Sequence, residues 1–360
     1  MRVVFCGADI SGYAAACWRA LAQIKDVDAL FLARYAGTGG ATAFGPDLMR
    51  EIPCRLLTPD EFENQELVHE RVVSHAPDVI FISGWCFKSY RALLKIKALE
   101  NCRFIMGMDT PLQYTLRQCA ARFLLRSYIR RMDAVFVPGE RSWQYARYLG
   151  VCEGRIVRGA YGFDVQAFNP CHDWRGKQAW PRRFLFVGRY TPVKGLDVLV
   201  KAYRKYRESV RDPWSLTCCG KGEMAALLQN EPGVTDRGFV PPAQQPELFA
   251  EHGVFILPSR YEPWGIVLGE ACASGMPVIC TQACGSAVEL VRPYYNGLLC
   301  ATDDVDALAE QMVWMHEHDR DLPRMGERAM AFAAPYAAEL WAERFYDMAL
   351  RLTNNRDRKQ

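Results

Sequence analysis

The sequence predicts an α/β protein that consists of two doubly wound units. Short apolar runs rich in Val, Ile and Phe recur along the chain with helix-like segments between them, which is typical of parallel sheets covered on both faces. The chain has 360 residues, of which 50% are hydrophobic and 24% charged, so it is long enough for two domains. Residues 159–181 contain few periodic apolar residues, which indicates a linker between the two sets of runs.

The predicted strands form two groups, one in each half of the chain. They cover residues 3–6, 29–33, 79–83, 103–106 and 134–137 in the first half, and 183–187, 215–218, 254–257 and 278–280 in the second. We therefore expect one domain over residues 1–169 and another over 170–336. A final amphipathic helix is predicted from residue 337, and the segment 337–360 is expected to pack back on the first domain, although either domain could accept its apolar face.

Ligands of open α/β sheets bind outside the carboxyl ends of the strands. Two such domains are expected to face a central cleft lined by the loops that follow their strands. We therefore look for chemistry in those loops.

Composition and charge exclude several classes of protein. Lys and Arg total 44 against 41 Asp and Glu, a formal charge of +3 that gives no reason to expect a nucleic-acid partner. The first apolar run is too short for a signal sequence, and no segment has the ~18 uninterrupted apolar residues that a membrane span requires. A cytoplasmic protein is predicted, either soluble or peripheral at the cytoplasmic face of the membrane.

The cysteines are numerous but show no metal-binding spacing. All 14 are free of CxxC motifs, and most stand singly inside apolar runs, so they are expected to be core residues in a reducing compartment. The pair Asp304 and Asp306 is explained more simply as the acidic start of a helix over 305–314 than as a metal site. No metal ligand is predicted.

The segment after the predicted strand 254–257 has the pattern of a turn that leads into a helix. Pro263 and Gly265 are typical of a helix start. The N–H groups of Gly265, Ile266 and Val267 would then point out of the positive end of the helix dipole, which favours an anion. Because glycine has no side chain, a phosphate could approach the backbone closely.

Two carboxylates flank this expected anion site. Since they would repel a phosphate, Glu262 and Glu270 are better suited to accept hydrogen bonds from hydroxyls, Glu262 from a sugar and Glu270 from a ribose. The alternative is that Glu262 only stabilises the helix start and that Glu270 is a solvated helix residue. Position alone leaves both interpretations open.

The segment from Glu262 to Val278 resembles the GT4 family of retaining glycosyltransferases. It carries Glu-Pro-Trp-Gly, the spacing Glu-x7-Glu and the continuation Ala-Ser-Gly-Met-Pro-Val. The resemblance runs from about residue 183 to the C-terminus and is weaker in the first half. It implies the GT-B fold, with two Rossmann-like domains.

The resemblance also implies an activity. This is the metal-independent transfer of a hexose, with retention, from a nucleoside diphosphate sugar to an acceptor hydroxyl in the synthesis of a polysaccharide, lipopolysaccharide or other glycoconjugate. A UDP-sugar is favoured over a GDP-sugar, the acceptor is a saccharide or is lipid-linked, and no cofactor is needed.

Two cations lie in the loop after the predicted strand 183–187. Arg189 and Lys194 on their own would be solvated surface charges. The family's Gly-Arg…Lys-Gly motif assigns both to the leaving diphosphate, which removes the need for a metal. The other residues that the resemblance assigns to donor binding are Gly12, Gly188, Phe239 and Val240, together with the Gly265–Val267 helix start.

Three features of the sequence each have two alternative interpretations. Asp109, where many family members carry a His, either orients a donor or acceptor hydroxyl or caps the helix after Pro111. The loop at Gly39 and Gly40 either contacts the acceptor or is a simple turn. An Arg-rich helix over 116–132 either lies on an anionic membrane, which would suit a lipid-linked acceptor, or has ordinary core and solvated faces.

Rival functions are limited by missing motifs. No GxGxxG or GxxxxGK[ST] occurs, which argues against a dinucleotide dehydrogenase and a P-loop enzyme. The remaining alternatives are a nucleotide-sugar epimerase or phosphorylase of the same architecture, or a non-catalytic protein that binds sugar nucleotides.

Overall fold

The computed structural model describes residues 1–35, 45–177 and 179–357 and divides the chain into two compact units. The N-terminal unit contains Met1–Phe163 and Ala338–Gln360, and the C-terminal unit contains Asp164–Ala337. Each unit has one parallel sheet with helices around it, so the predicted α/β class is confirmed. The predicted loop at Gly39 and Gly40 lies outside the described residues.

The N-terminal unit is built on a seven-stranded parallel sheet of order β3-β2-β1-β4-β5-β6-β7. Its strands are β1 (Arg2–Asp9), β2 (Asp28–Arg34), β3 (Cys54–Leu57), β4 (Val79–Ser83), β5 (Arg103–Gly107), β6 (Ala134–Val137) and β7 (Ile156–Arg158). Its helices are α1 (Gly12–Ala22), α2 (Pro59–Glu63), α3 (Gln65–Ser74), α4 (Lys88–Ala92), α5 (Leu116–Leu124), α6 (Arg126–Arg130) and α7 (Glu140–Tyr148).

The C-terminal unit has a six-stranded parallel sheet of order β10-β9-β8-β11-β12-β13. Its strands are β8 (Arg183–Val187), β9 (Ser215–Cys219), β10 (Val234–Asp236), β11 (Val254–Leu257), β12 (Val278–Thr281) and β13 (Gly297–Cys300). Its helices are α8 (Val165–Phe168), α9 (Pro170–Gly176), α10 (Leu196–Ser209), α11 (Gln245–Ala250), α12 (Ile266–Ala273), α13 (Ala287–Leu290), α14 (Val305–Glu317) and α15 (Leu322–Ala333).

The last helix, α16 (Ala338–Asp357), covers one face of the N-terminal sheet next to α1. Trp341 and Phe345 lie with ring centroids 5.8 Å and 4.6 Å from that of Phe5 on β1. The indole N–H of Trp341 donates to the carbonyl of Ala160 at 2.9 Å. The apolar face seen in the sequence therefore belongs to the core of the N-terminal unit.

The boundary between the units lies at Phe163 and Asp164, before the expected position near residue 170. The difference arises because α8 and α9 contact α11, α12 and α15 of the C-terminal unit. Arg175 of α9 is buried and donates to the carbonyl of Gly275 at 2.9 Å, which fixes α9 there.

The predicted helix over 116–132 is wrong in one respect, because it is broken. α5 ends at Leu124 and α6 begins at Arg126, with Leu125 between them. Leu125, Tyr128 and Ile129 are buried in the N-terminal core, whereas Phe123 and Leu124 are exposed.

No helix within the described ranges is both long and apolar enough to cross a membrane.

Candidate functional site

The expected donor-site residues lie on loops at one edge of the C-terminal sheet. β8, β11 and β12 are neighbours in that sheet, and all three are parallel, so the loops that follow them emerge side by side. These loops carry Arg189 and Lys194, then Glu262 and Gly265, and then Ser286. The sheet order thus collects segments that are up to about a hundred residues apart in sequence.

The start of α12 has the geometry of an anion site. Gly265 has φ +93° and ψ 66°, a left-handed conformation that side-chain-bearing residues rarely adopt, and its carbonyl accepts from the N–H of Leu268 at 3.0 Å. Within the described residues, the N–H groups of Gly265, Ile266 and Val267 donate to no protein acceptor. Three backbone donors at the positive end of a helix are suited to bind phosphate oxygens.

Backbone hydrogen bonds from the neighbouring loop hold this turn in place. The N–H of Gly285 donates to the carbonyl of Glu262 at 2.9 Å, and the N–H of Ser286 donates to the carbonyl of Trp264 at 2.8 Å. Trp264 is buried, which anchors the turn from below. The position of the Glu262 side chain is therefore set by the loop after β12 as well as by its own.

Lys194 and Glu262 form an ion pair that the sequence did not predict. The ammonium of Lys194 donates to Oε2 of Glu262, and the two side chains are only 14% and 11% exposed. Oε1 of Glu262 accepts no hydrogen bond from any residue that the structure describes. The remaining Lys194 donors and this oxygen are left for a ligand, because an ammonium has three donors.

Arg260 connects the loops after β8 and β11. Its guanidinium donates to both carboxylate oxygens of Asp197 at 2.8 and 2.7 Å, and to Asp303 at 2.6 Å. Its backbone N–H donates to the carbonyl of Val193 at 2.8 Å. The pKa of Asp197 is lowered, chiefly by its hydrogen bonds with Arg260. Arg260 lies two positions before Glu262, and only the structure assigns it this connecting role.

The two loops also meet at Gly195. This residue has φ +68°, and a β-carbon there would lie 2.1 Å from the carbonyl oxygen of Pro258. Only glycine permits this approach, which brings Lys194 to Glu262.

Glu270 lies on the second turn of α12 and is partly buried. Burial raises the pKa of its carboxyl group to about 7. Among the described residues, no hydrogen-bond donor reaches the carboxylate. A desolvated carboxylate without a donor is suited to accept hydrogen bonds from ligand hydroxyls, whereas the fully solvated alternative does not fit this environment.

The other expected donor-site residues lie at the same edge of the sheet. Arg189 is exposed and forms no ion pair with a described residue, and Gly188 follows β8 with its N–H 3.0 Å from the carbonyl of Cys219. Phe239 and Val240 are partly exposed after β10, and the Lys221 ammonium lies 6.0 Å from the Phe239 ring centroid. These residues follow β8, β9 and β10, which are adjacent strands.

The N-terminal unit contains a separate cavity of about 320 Å³ at the carboxyl ends of β1, β4 and β5. Its lining is largely aromatic and includes Phe81, Trp85 and Phe87. Its polar lining residues include Asp109 and Tyr161.

Asp109 does not cap a helix, so that alternative is wrong. α5 begins at Leu116 and is capped by Thr115, whose hydroxyl accepts from the N–H of Gln118 at 3.3 Å. Oδ2 of Asp109 instead accepts from the hydroxyl of Tyr161 at 2.8 Å. Nothing in the sequence pattern pointed to Tyr161.

Asp109 and Tyr161 act together with Tyr13 on this wall of the cavity. Burial, and secondarily the charge of Asp109, raise the pKa of Tyr13 to about 12. Burial also raises the pKa of Tyr161 well above its usual value, so both phenols are neutral hydrogen-bonding groups. Gly12 is the first residue of α1 and does not line the cavity, whereas its neighbour Tyr13 does.

No group of three or more candidate metal-binding side chains occurs in the described ranges. Asp304 caps α14 by accepting from the N–H of Ala307 at 2.9 Å, and Asp306 pairs with Lys205. The acidic pair thus stabilises a helix start, as predicted.

The family model described as "Glycosyl transferases group 1" matches residues 173–332. An uncharacterised glycosyltransferase of Methanocaldococcus jannaschii is 33% identical over 141 residues, which is 37% of this chain and 35% of that protein. A D-inositol 3-phosphate glycosyltransferase of Salinispora tropica is 32% identical over 199 residues, which is 47% of this chain and 39% of that protein. The matches thus span well under half the length of these relatives.

Two solved structures share the fold over nearly the whole chain. The Anabaena protein HepE in complex with UDP superposes with a TM-score of 0.74 at 20% identity, covering 96% of this chain and 99% of that one. Sucrose-phosphate synthase from Thermosynechococcus elongatus superposes with a TM-score of 0.76 at 17% identity, covering 99% and 100%. The two parallel-sheet units therefore have the GT-B fold, and residues 173–332 of the chain are similar to the glycosyl transferases group 1 family.

Proposed function

We propose that the chain is a glycosyltransferase that moves a hexose from a nucleoside diphosphate sugar to an acceptor hydroxyl. The observation that carries the proposal is the cluster on the loops after β8 and β11. There, three unpartnered N–H groups at the start of α12 lie on the same loops as the Lys194–Glu262 pair. An anion site next to a carboxylate with a free oxygen matches a ligand that joins a diphosphate to a hydroxyl-rich sugar.

Each group in this cluster has a distinct role in the proposal. The α12 start binds the diphosphate, and Arg189 and Lys194 stabilise the negative charge that develops as it leaves. Glu262 accepts hydrogen bonds from the donor sugar, and Glu270 accepts them from the ribose. Phe239 and Val240 contact the base. A UDP-sugar is favoured, which is supported by the UDP bound to the HepE structure.

The chemistry follows as a front-face substitution. The bond between the anomeric carbon and the diphosphate oxygen breaks, the acceptor oxygen bonds to the same face of that carbon, and the acceptor proton passes to the departing diphosphate. The anomeric configuration is therefore retained, and no enzymic nucleophile is required. Because Arg189 and Lys194 supply the positive charge, the reaction needs neither a metal nor a cofactor.

The acceptor is proposed to bind in the cavity of the N-terminal unit. Its aromatic lining suits the apolar face of a sugar or the linker of a lipid-linked saccharide. Asp109 and Tyr161 then bind the acceptor hydroxyl. Glycoconjugate or polysaccharide synthesis at the cytoplasmic face of the membrane is the cellular role that we propose.

The test measures UDP release from UDP-sugars with and without a panel of saccharide acceptors. We expect release that depends on the acceptor, persists in EDTA and yields a product whose anomeric configuration, read by NMR, is that of the donor. Arg189→Gln should lower kcat strongly without unfolding the protein, because Arg189 is exposed and unpaired among the described residues. Arg211→Gln, another exposed arginine of the same unit, is the matched control. Donor binding without turnover over all acceptors would favour a non-catalytic binding protein instead.

A further inference from the structure

The segment 114–131 of the N-terminal unit, here the Arg-rich segment, exposes an unusual amount of apolar surface. Tyr114, Leu116, Phe123 and Leu124 are 72%, 89%, 74% and 77% exposed. These are the four most exposed large apolar side chains among the described residues. Their concentration in eleven residues exceeds the scattered exposure that is usual for a soluble surface.

The Arg-rich segment is anchored by one face and exposes the other. Leu125, Tyr128 and Ile129 are buried and hold the segment on the domain, while Phe123 and Leu124 point away from the core. Phe123 and Leu124 therefore protrude from a segment that is itself firmly anchored. Largely exposed apolar side chains on an anchored segment are stabilised when they enter an apolar phase.

The same surface is strongly basic. Arg117, Arg122, Arg126 and Arg130 are exposed and form no ion pair with any residue that the structure describes. From position 111 to position 131 the sequence contains no Asp or Glu. The formal charge of the whole chain is only +3, so this positive patch is a local feature.

Several of these arginines surround an open groove of about 450 Å³. Its lining combines four arginines with an apolar base, and consists of Arg122, Phe123, Arg126, Ile129, Arg130, Leu149, Gly150 and Arg155. Guanidinium groups bind phosphates in a bidentate manner, and an apolar base can pack against hydrocarbon. Such a groove fits a molecule with an anionic head and an apolar body.

We propose that the Arg-rich segment docks the protein on the surface of an anionic lipid bilayer. Leu116, Phe123 and Leu124 enter the boundary between headgroups and acyl chains, and the arginines bind the lipid phosphates, with one headgroup in the groove. A nucleic acid fits less well, since its backbone would satisfy the arginines but leave the protruding leucines in water. This docking does not depend on the proposed transferase activity.

The test is flotation of the full chain with vesicles, in the absence of any substrate. We expect binding to vesicles of phosphatidylcholine with 30% phosphatidylglycerol, little binding to phosphatidylcholine alone, and weaker binding as salt is raised. Combined Arg122→Gln, Arg126→Gln and Arg130→Gln should weaken binding at least about tenfold. Combined Leu116→Ser, Phe123→Ser and Leu124→Ser should also release the protein. Because all six side chains are exposed, both variants should keep the melting temperature of the parent chain.

The matched control removes the same charge from the other unit. Lys201→Gln, Arg211→Gln and Arg320→Gln change three exposed cations and should leave vesicle binding unchanged. If this control lost as much vesicle binding as the arginine variant, net charge alone would explain the loss, and the assignment to the Arg-rich segment would be overturned. Equal binding to both vesicle types, or tight binding of a labelled single-stranded RNA with none to vesicles, would overturn the membrane proposal itself.

Discussion

Donor binding should strengthen with pH through the titration of Glu270. Burial raises the pKa of this carboxyl to about 7 from the usual 4.5, so the free protein has it about one tenth ionised at pH 6 and about nine tenths ionised at pH 8. If ribose hydroxyls donate to the carboxylate, the ligand binds the ionised form. The apparent affinity should then rise about tenfold between pH 6 and pH 8. Ligand binding should release fewer protons at the upper pH values, because Glu270 is already ionised there in most of the free protein.

The assay is calorimetric titration with UDP-glucose at several pH values, because the diphosphate of a sugar nucleotide does not itself titrate in this range. Glu270→Gln should bind with an affinity that is independent of pH. The assignment of Glu270 to the ribose would be refuted if the affinity of this variant still depended on pH, or if the affinity of the parent fell as pH rises.

The raised pKa of Glu270 also predicts how the stability of the fold depends on pH. A buried carboxyl with a raised pKa favours the folded state fully only below pH 4.5, and that contribution is lost as pH rises through about 7. Glu270→Gln should therefore raise the melting temperature relative to the parent at pH 8 and change it little at pH 4.5. A melting temperature that is lower for the variant than for the parent at pH 8 would mean that the carboxylate is stabilised by a partner in the fold.

Three further predictions concern pairs of residues. Lys194→Met or Glu262→Gln should each lower the unfolding free energy of the C-terminal unit by about 3 kcal/mol, because each leaves a nearly buried charge alone, and the double variant should lose less than the two single losses combined in urea unfolding. Arg260→Lys should raise the donor KM about tenfold in steady-state kinetics, since lysine cannot reproduce the paired bonds to Asp197, and an unchanged KM would contradict the connecting role. Asp109→Asn should raise the acceptor KM about tenfold and leave the donor KM unchanged, whereas a change confined to the donor KM would place Asp109 elsewhere.

The central strands could be predicted because they are apolar on both faces, as β4 and β11 are. The strands that the apolar pattern missed, β3, β7, β10 and β13, lie at sheet edges. All four have only three or four residues, and β3, β7 and β10 are also half exposed, so these three carry almost no apolar pattern. The break at Leu125 was missed for a related reason. An apolar run of Phe123, Leu124 and Leu125 does not reveal which of its members turns toward the core.

Motif spacing located the loops of the candidate site, but spacing cannot show which side chains pair. Glu262 and Lys194 are 68 positions apart, and only the adjacency of β8 and β11 brings them together. The same limit hid the contact of Tyr161 with Asp109, which spans 52 positions. Pairing between distant residues depends on the order of the strands in the sheet, and no local sequence pattern determines that order.

In the Lys194–Glu262 pair, each side chain both stabilises its partner and keeps a group that can bind a ligand. An isolated charge at this depth would be costly to desolvate, and each partner reduces that cost for the other. The pair uses one ammonium donor and one carboxylate oxygen, so Lys194 retains donors for a phosphate and Glu262 retains Oε1 for a sugar hydroxyl. A diphosphate bound at the α12 start would draw on the spare Lys194 donors without removing the partner that holds Glu262 in place. The ion pair is therefore a positioning device for the carboxylate, and it explains why both charges can be kept ready in a nearly buried site.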